Sequence, residues 1–100
     1  MNIYFSEIAK FKLNILTTYL LENWNLQTKN DFLKKLDFKI QQIKSQPYSC
    51  IESYDFKGLY KCVVTKQTTF YYRISKKQQE IEIITIFDTR QNPDKLYNDV

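Results

Sequence analysis

The chain has 100 residues, 43% apolar and 16% aromatic, with one glycine, two prolines and a formal net charge of +4. That is apolar material for one core and one domain, residues 1–100, with too little glycine and proline for a flexible linker. There is no histidine, which removes the commonest general base and every Ser/His or Cys/His nucleophile pair.

Cys50 and Cys62 stand without a CxxC partner, so they read as free, partly buried thiols, and neither a metal nor a cofactor is expected. No apolar run approaches the roughly 20 residues of a membrane span. The start, MNIYFSEIAK, lacks the basic and apolar segments of a signal peptide. A cytoplasmic protein is therefore expected.

In chain order, NIYFS reads as a short strand and Ser6-Glu7 as a helix start. Ala9, Leu13, Leu16 and Leu20 then recur at helical spacing, with Ile8, Ile15 and Tyr19 widening the apolar face, which predicts a helix to about Asn23. Phe32, Leu36, Ile40 and Ile43 repeat the stripe in a second helix from about Leu26 to Gln46, and Pro47 ends it. Two such helices with a short join pack most simply as a hairpin.

The period then changes to two. CIESYD is a weak strand, Lys57-Gly58 a turn, and LYKCVVT, TFYYRIS and EIEIITIFD are strands joined by polar turns. In the last strand Ile81 and Ile83 are expected on one face and Ile84 and Ile86 on the other, as in an interior strand. The reading is an α+β domain: an N-terminal strand and a helical hairpin on a mainly antiparallel sheet of three or four strands. The hairpin covers one sheet face. The other is expected to stay open, apolar, aromatic and basic.

No acid stands between Asp55 and Glu80, while Lys57, Lys61, Lys66, Arg73, Lys76 and Lys77 do. Interleaved with Tyr60, Phe70, Tyr71 and Tyr72, these cations suit a polyanion, whether a nucleic acid or an acidic protein segment. The plainer reading is a hairpin kept soluble by lysines. An RNA-recognition fold does not fit the adjacent helices and the single glycine, and phosphate-loop motifs are absent. Ribonuclease chemistry without histidine would have to draw on Lys61, Arg73, Arg90 and Tyr97.

In order along the chain, NIYFSEIAKFKLNILTTYLLENW, FLKKLDFKIQQIKSQP, GLYKCVV, FYYRI and FDTRQNPDKL resemble the RelE/ParE superfamily of toxins from bacterial type II toxin–antitoxin systems. The resemblance implies a helical hairpin on a twisted antiparallel sheet and a cognate antitoxin that wraps the toxin, here expected to meet Tyr60, Phe70 and Tyr72. RelE-like members cut messenger RNA on the ribosome, and ParE-like members inhibit DNA gyrase. Lys61, Arg90 and Tyr97 match RelE-type catalytic positions, with Tyr97 one residue too far from Arg90. Lys57, Lys66, Arg73, Lys76 and Lys77 would meet the target. Val63 and Thr69 replace a lysine and an arginine of the RelE pattern, and the RQNP ending is closer to ParE-type, plasmid-stabilisation members. The resemblance thus implies a ParE-like gyrase inhibitor, with a RelE-like ribosome-dependent endonuclease and an inactive, protein-binding member as the alternatives. Arg90 would either anchor the C-terminal segment or face a target phosphate.

Overall fold

The computed structural model describes residues 1–88 and 99. Strand β1 (Asn2–Phe5) leads into helices α1 (Glu7–Asn23) and α2 (Leu26–Ser45). Strands β2 (Ile51–Glu52), β3 (Leu59–Val63), β4 (Thr68–Ser75) and β5 (Glu80–Asp88) follow.

Local chemistry explains the boundaries. The Ser6 hydroxyl accepts from Ala9 N at 3.0 Å, capping α1, and donates to the Ile84 carbonyl at 2.6 Å, so one side chain both starts the helix and ties it to β5. Asn25 caps α2 by accepting from Thr28 N at 2.7 Å, leaving Trp24 and Asn25 as the whole join of the hairpin. Gly58 takes φ +81° in the turn before β3, where a side chain would strain the backbone.

The sheet has five strands in the order β1-β5-β4-β3-β2. β2 to β5 pair antiparallel, as expected, but β1 joins β5 in parallel, Asn2 across from Glu80 and Phe5 across from Ile83. The sheet is therefore mixed. The helices stand between β1 and its partner in sequence, and that long crossover is what a parallel pair requires.

A register shift between Tyr71 and Tyr72 leaves Ile84 as an extra residue in β5. It corrects the expected alternation. Beyond the bulge the pleat resets, so Ile86 pairs with Phe70 and joins Ile81 and Ile83 in the main core.

That core lies between the sheet and the hairpin: Ala9, Phe32, Leu36 and Ile43 from the helices meet Cys62, Phe70, Tyr72, Ile81, Ile83 and Ile86. Within it Tyr72 stacks on Tyr60, with centroids 5.5 Å apart, and donates from its hydroxyl to the Pro47 carbonyl at 2.7 Å. The inner stripe of each helix is thus the one read from the spacing. The widening residues Ile8, Ile15 and Tyr19 are not part of it; they remain exposed.

Candidate functional site

Strand parity decides which side chains a partner can meet. In β3 and β4 the residues Cys62, Phe70 and Tyr72 face the helices, and Tyr60 packs against the same core. Leu59, Lys61 and Val63 face away, paired with Arg73, Tyr71 and Thr69. The expected antitoxin contacts are corrected here: Phe70 and Tyr72 are fully buried under the hairpin, and Tyr60 is half-buried between Tyr72 and Tyr48. No partner reaches Phe70 or Tyr72 while the core is intact.

The expectation of an open aromatic face is also revised. At its centre Leu59, Tyr71 and Phe87 are buried in a second, smaller cluster, with Phe56 and Ile84 packed against them. Burial, followed by the nearby Asp55 carboxylate, pushes the Tyr71 phenol up. Around this cluster Lys61, Val63 and Ile51 are exposed.

The cations do not form one patch. Lys66 sits in the turn joining β3 and β4, while Lys76 and Lys77 follow the far end of β4. Seven residue steps at about 3.3 Å put roughly 23 Å between the two ends. Lys57 and Arg73 lie nearer the second end, with Arg73 donating to the Lys57 carbonyl at 3.5 Å. Lys76 stands 5.5 Å from the centre of the Tyr48 ring. The ladder also brings acids back among them, with Glu82 directly across from Arg73 and Glu80 across from Ser75. A sequence without acids between Asp55 and Glu80 thus becomes a surface of mixed sign.

Of the RelE-type positions, Lys61 is exposed on the face away from the helices. Val63 beside it is 51% exposed, whereas Thr69 is 4% exposed. Even if Thr69 were a cation, it would have to leave a buried position to act. Arg90 and Tyr97 lie outside the described residues, so Lys61 is the one RelE-type catalytic candidate among those described.

One surface was not foreseen, because the spacing placed Ile15 and Tyr19 on the core-facing side of α1. Phe11, Ile15 and Tyr19 on the outside of α1, with Lys12, Leu16, Ile86 and Asp88, line a groove of about 400 Å³ beside the second half of β5. Phe11 and Ile15 are 65% and 53% exposed, and Ile8 continues the row. At the groove's inner wall Lys12 makes an ion pair with Asp99, which also accepts from the Thr85 hydroxyl at 3.0 Å. The helical periodicity contained the signal, since α1 has more apolar positions than one buried stripe can use.

Among the described residues no helix is long and apolar enough to cross a membrane, and no cluster of metal-ligating side chains occurs.

A helical hairpin laid on one face of a mixed five-stranded sheet is the architecture of RelE/ParE-like toxins. Among solved structures, the YoeB/ParE toxin from Agrobacterium tumefaciens superposes with a TM-score of 0.65 at 17% identity, covering 88% of this chain and 98% of that one. The chromosomal ParDE system from P. aeruginosa gives 0.73 at 10% identity over 90% and 97% of the two chains. The isolated E. coli RelE toxin gives 0.62 at 10% identity over 97% and 93%. No curated protein matches the sequence. The family model for the ParE toxin of the type II toxin–antitoxin system, parDE, matches residues 3–93, and the chain belongs to that family. Membership implies an antitoxin as partner.

Proposed function

We propose that this protein arrests growth by inhibiting DNA gyrase, and that its antitoxin holds it through the outer face of α1. The observation that carries the first part is the make-up of the sheet face around Lys61. A ribonuclease working without histidine needs several cations around the scissile phosphate, and one lysine with a lowered pKa as base. On the described part of that face Val63 is apolar, Thr69 is buried, and Arg73 is engaged with the Lys57 carbonyl and faces Glu82. Lys61 alone supplies charge but not a phosphate clamp. The match to the ParE toxin family favours the same reading.

The second part rests on exposure. Ile8, Phe11, Ile15 and Tyr19 form a row along α1 and stand in solvent. An amphipathic antitoxin helix laid along that row would bury apolar area at roughly 25 cal/mol per Å². The groove between α1 and β5 would take its larger side chains.

The reading is tested with the toxin freed from its antitoxin. Added to gyrase and relaxed plasmid, it blocks supercoiling, and after a short induced pulse in cells the 5′ ends of messenger RNA remain unchanged. New ends within codons, abolished by Lys61→Ala, would replace it with ribosome-dependent cleavage. Exposed lysine beside the sheet's apolar patch is the one described feature that favours this second reading. For the partner surface, Phe11→Glu combined with Ile15→Glu leaves the fold intact and abolishes co-purification with the adjacent gene's product. Undiminished co-purification would move the interface elsewhere.

A further inference from the structure

Two thiols meet where the edge strand β2 begins. β2 and β3 pair antiparallel, Ile51 across from Lys61 and Glu52 across from Tyr60. The same register carried one step further sets Cys50, the residue before β2, across from Cys62. Residues directly opposite in an antiparallel pair have Cα atoms about 4.5–5.5 Å apart, within the roughly 4.4–6.8 Å that a disulfide spans. Both side chains pack in the main core, Cys62 at 2% exposure and Cys50 half-buried at its margin. Cys50 neighbours both Cys62 and Tyr72, and the Tyr72 hydroxyl donates to the Pro47 carbonyl just upstream.

We propose that Cys50 and Cys62 are a redox pair that closes to an intramolecular disulfide under peroxide and fastens the edge strand β2 to β3. Cys50 is the entry point because solvent reaches it. Its thiolate attacks a peroxide oxygen, giving a sulfenic acid and hydroxide, which takes up the proton the thiol gave. The Cys62 sulfur then attacks the Cys50 sulfur, the S–S bond forms and the sulfenic oxygen leaves as water. In sum two thiols lose two electrons and two protons, and one peroxide becomes two waters. Burial, with the neighbouring Cys50 second, pushes the Cys62 thiol up to about 12, so it rests protonated. The second step therefore speeds up as pH rises.

The position gives the bond something to control. β2 has two residues in its ladder, and the loop after it is held by non-covalent contacts: Gly58 N to the Glu52 carboxylate at 2.6 Å and Ser53 N to the Leu59 carbonyl at 2.6 Å. That loop supplies Phe56, which packs on Leu59, Tyr71 and Phe87. It also supplies the carbonyl of Lys57 that receives Arg73. A covalent link between 50 and 62 encloses the loop and Lys61 in one ring, and so stiffens the margin of the face that carries Lys61.

The test is peroxide treatment of the purified full chain, followed by intact mass, maleimide labelling and peptide mapping. The expected result is a monomer lighter by two hydrogens, loss of both maleimide-reactive thiols, a cross-linked peptide joining Cys50 to Cys62, and full return with dithiothreitol. Amide exchange over residues 51–58 slows in the oxidised form. Cys50→Ser abolishes the mass loss and leaves Cys62 unmodified at the same peroxide dose. This variant alters a half-buried position at the core's margin, so the test does not depend on a Cys62 variant that folds. Oxygen retained on Cys50 with Cys62 still free, disulfide-linked dimers, or unchanged exchange over 51–58 in the oxidised monomer would each overturn the proposal.

Discussion

On the side of the hairpin, Phe70, Tyr72, Ile81 and Ile83 are sealed beneath Phe32, Leu36 and Ile43. On the other side Leu59, Thr69, Tyr71, Thr85 and Phe87 are buried among the described residues, while Lys61, Val63 and Ile51 stand in water. Both faces draw on the same strands and the same kinds of residue. Among the described residues what differs is the covering layer: two helices on one side, a small cluster with Phe56 and Ile84 on the other. Alternation in a strand reports that its two faces differ in character. Which of them is closed depends on what packs there, and that sets where a partner can bind.

The comparison is broken most severely from the closed side. Phe70→Ala empties a fully buried aromatic site between sheet and hairpin and is expected to cost about 3–5 kcal/mol. Leu59→Ala, in the smaller cluster, is expected near the lower end of the roughly 2–5 kcal/mol range for such truncations, because fewer fixed neighbours surround the void. Urea unfolding at constant m-value measures both. Equal losses would mean that the far face is as firmly built as the near one.

High pH strikes the closed side next. Burial pushes the native Cys62 thiol up to about 12, from an ordinary value of 9.0. Between these values the unfolded chain has released a proton that the native chain keeps, so unfolding becomes easier as pH rises. The contribution is present in full below about pH 9 and is lost on the way to 12, with a slope of at most about 1.4 kcal/mol per pH unit for one group. Burial raises the Tyr72 phenol too, and acts in the same direction. Stability is therefore expected to be level from pH 6 to 8.5 and to fall above it, with Cys62→Ala removing the thiol's share. A midpoint in urea that holds steady to pH 11 would contradict the burial assigned to this pair.

A smaller effect separates packing from hydrogen bonding within the same core. Tyr72→Phe keeps the ring on Tyr60 but leaves the Pro47 carbonyl without its 2.7 Å donor, for an expected loss of about 1 kcal/mol. The same urea titration reads it, and a loss as large as that of Phe70→Ala would mean that the Pro47 tie organises the core.

These contrasts also show what could be read from the chain alone. Ser6 and Pro47 marked the outer limits of the helical hairpin because caps and breakers act within a few residues. The parallel β1–β5 pair could not be read, since its partners are about eighty positions apart. Nor could the bulge at Ile84, which depends on how β5 meets Tyr71 and Tyr72 and which returned Ile86 to the core. The basic stretch was real in sequence, yet the β4–β5 ladder sets Glu82 across from Arg73. The outer residues of α1 were read as a broader core stripe. Periodicity places Phe11, Ile15 and Tyr19 on a helix side without saying whether anything lies against it.

The least disruptive change sharpens the functional side of the comparison. Val63 lies two residues from Lys61 on the same face and is half exposed, so Val63→Lys is expected to alter stability by no more than about 0.5 kcal/mol. The two Cα atoms lie two strand steps, roughly 7 Å, apart, so the substitution sets a second cation beside Lys61 on the same face. Thr69→Arg cannot serve the same purpose, because its buried position turns an added cation into a packing fault. If the face lacks more than one charge, the Val63→Lys protein still blocks supercoiling and leaves messenger RNA intact. If new 5′ ends appear with this single substitution, the face was one cation short of a nuclease, and the line between the gyrase-directed and ribosome-directed branches runs through position 63.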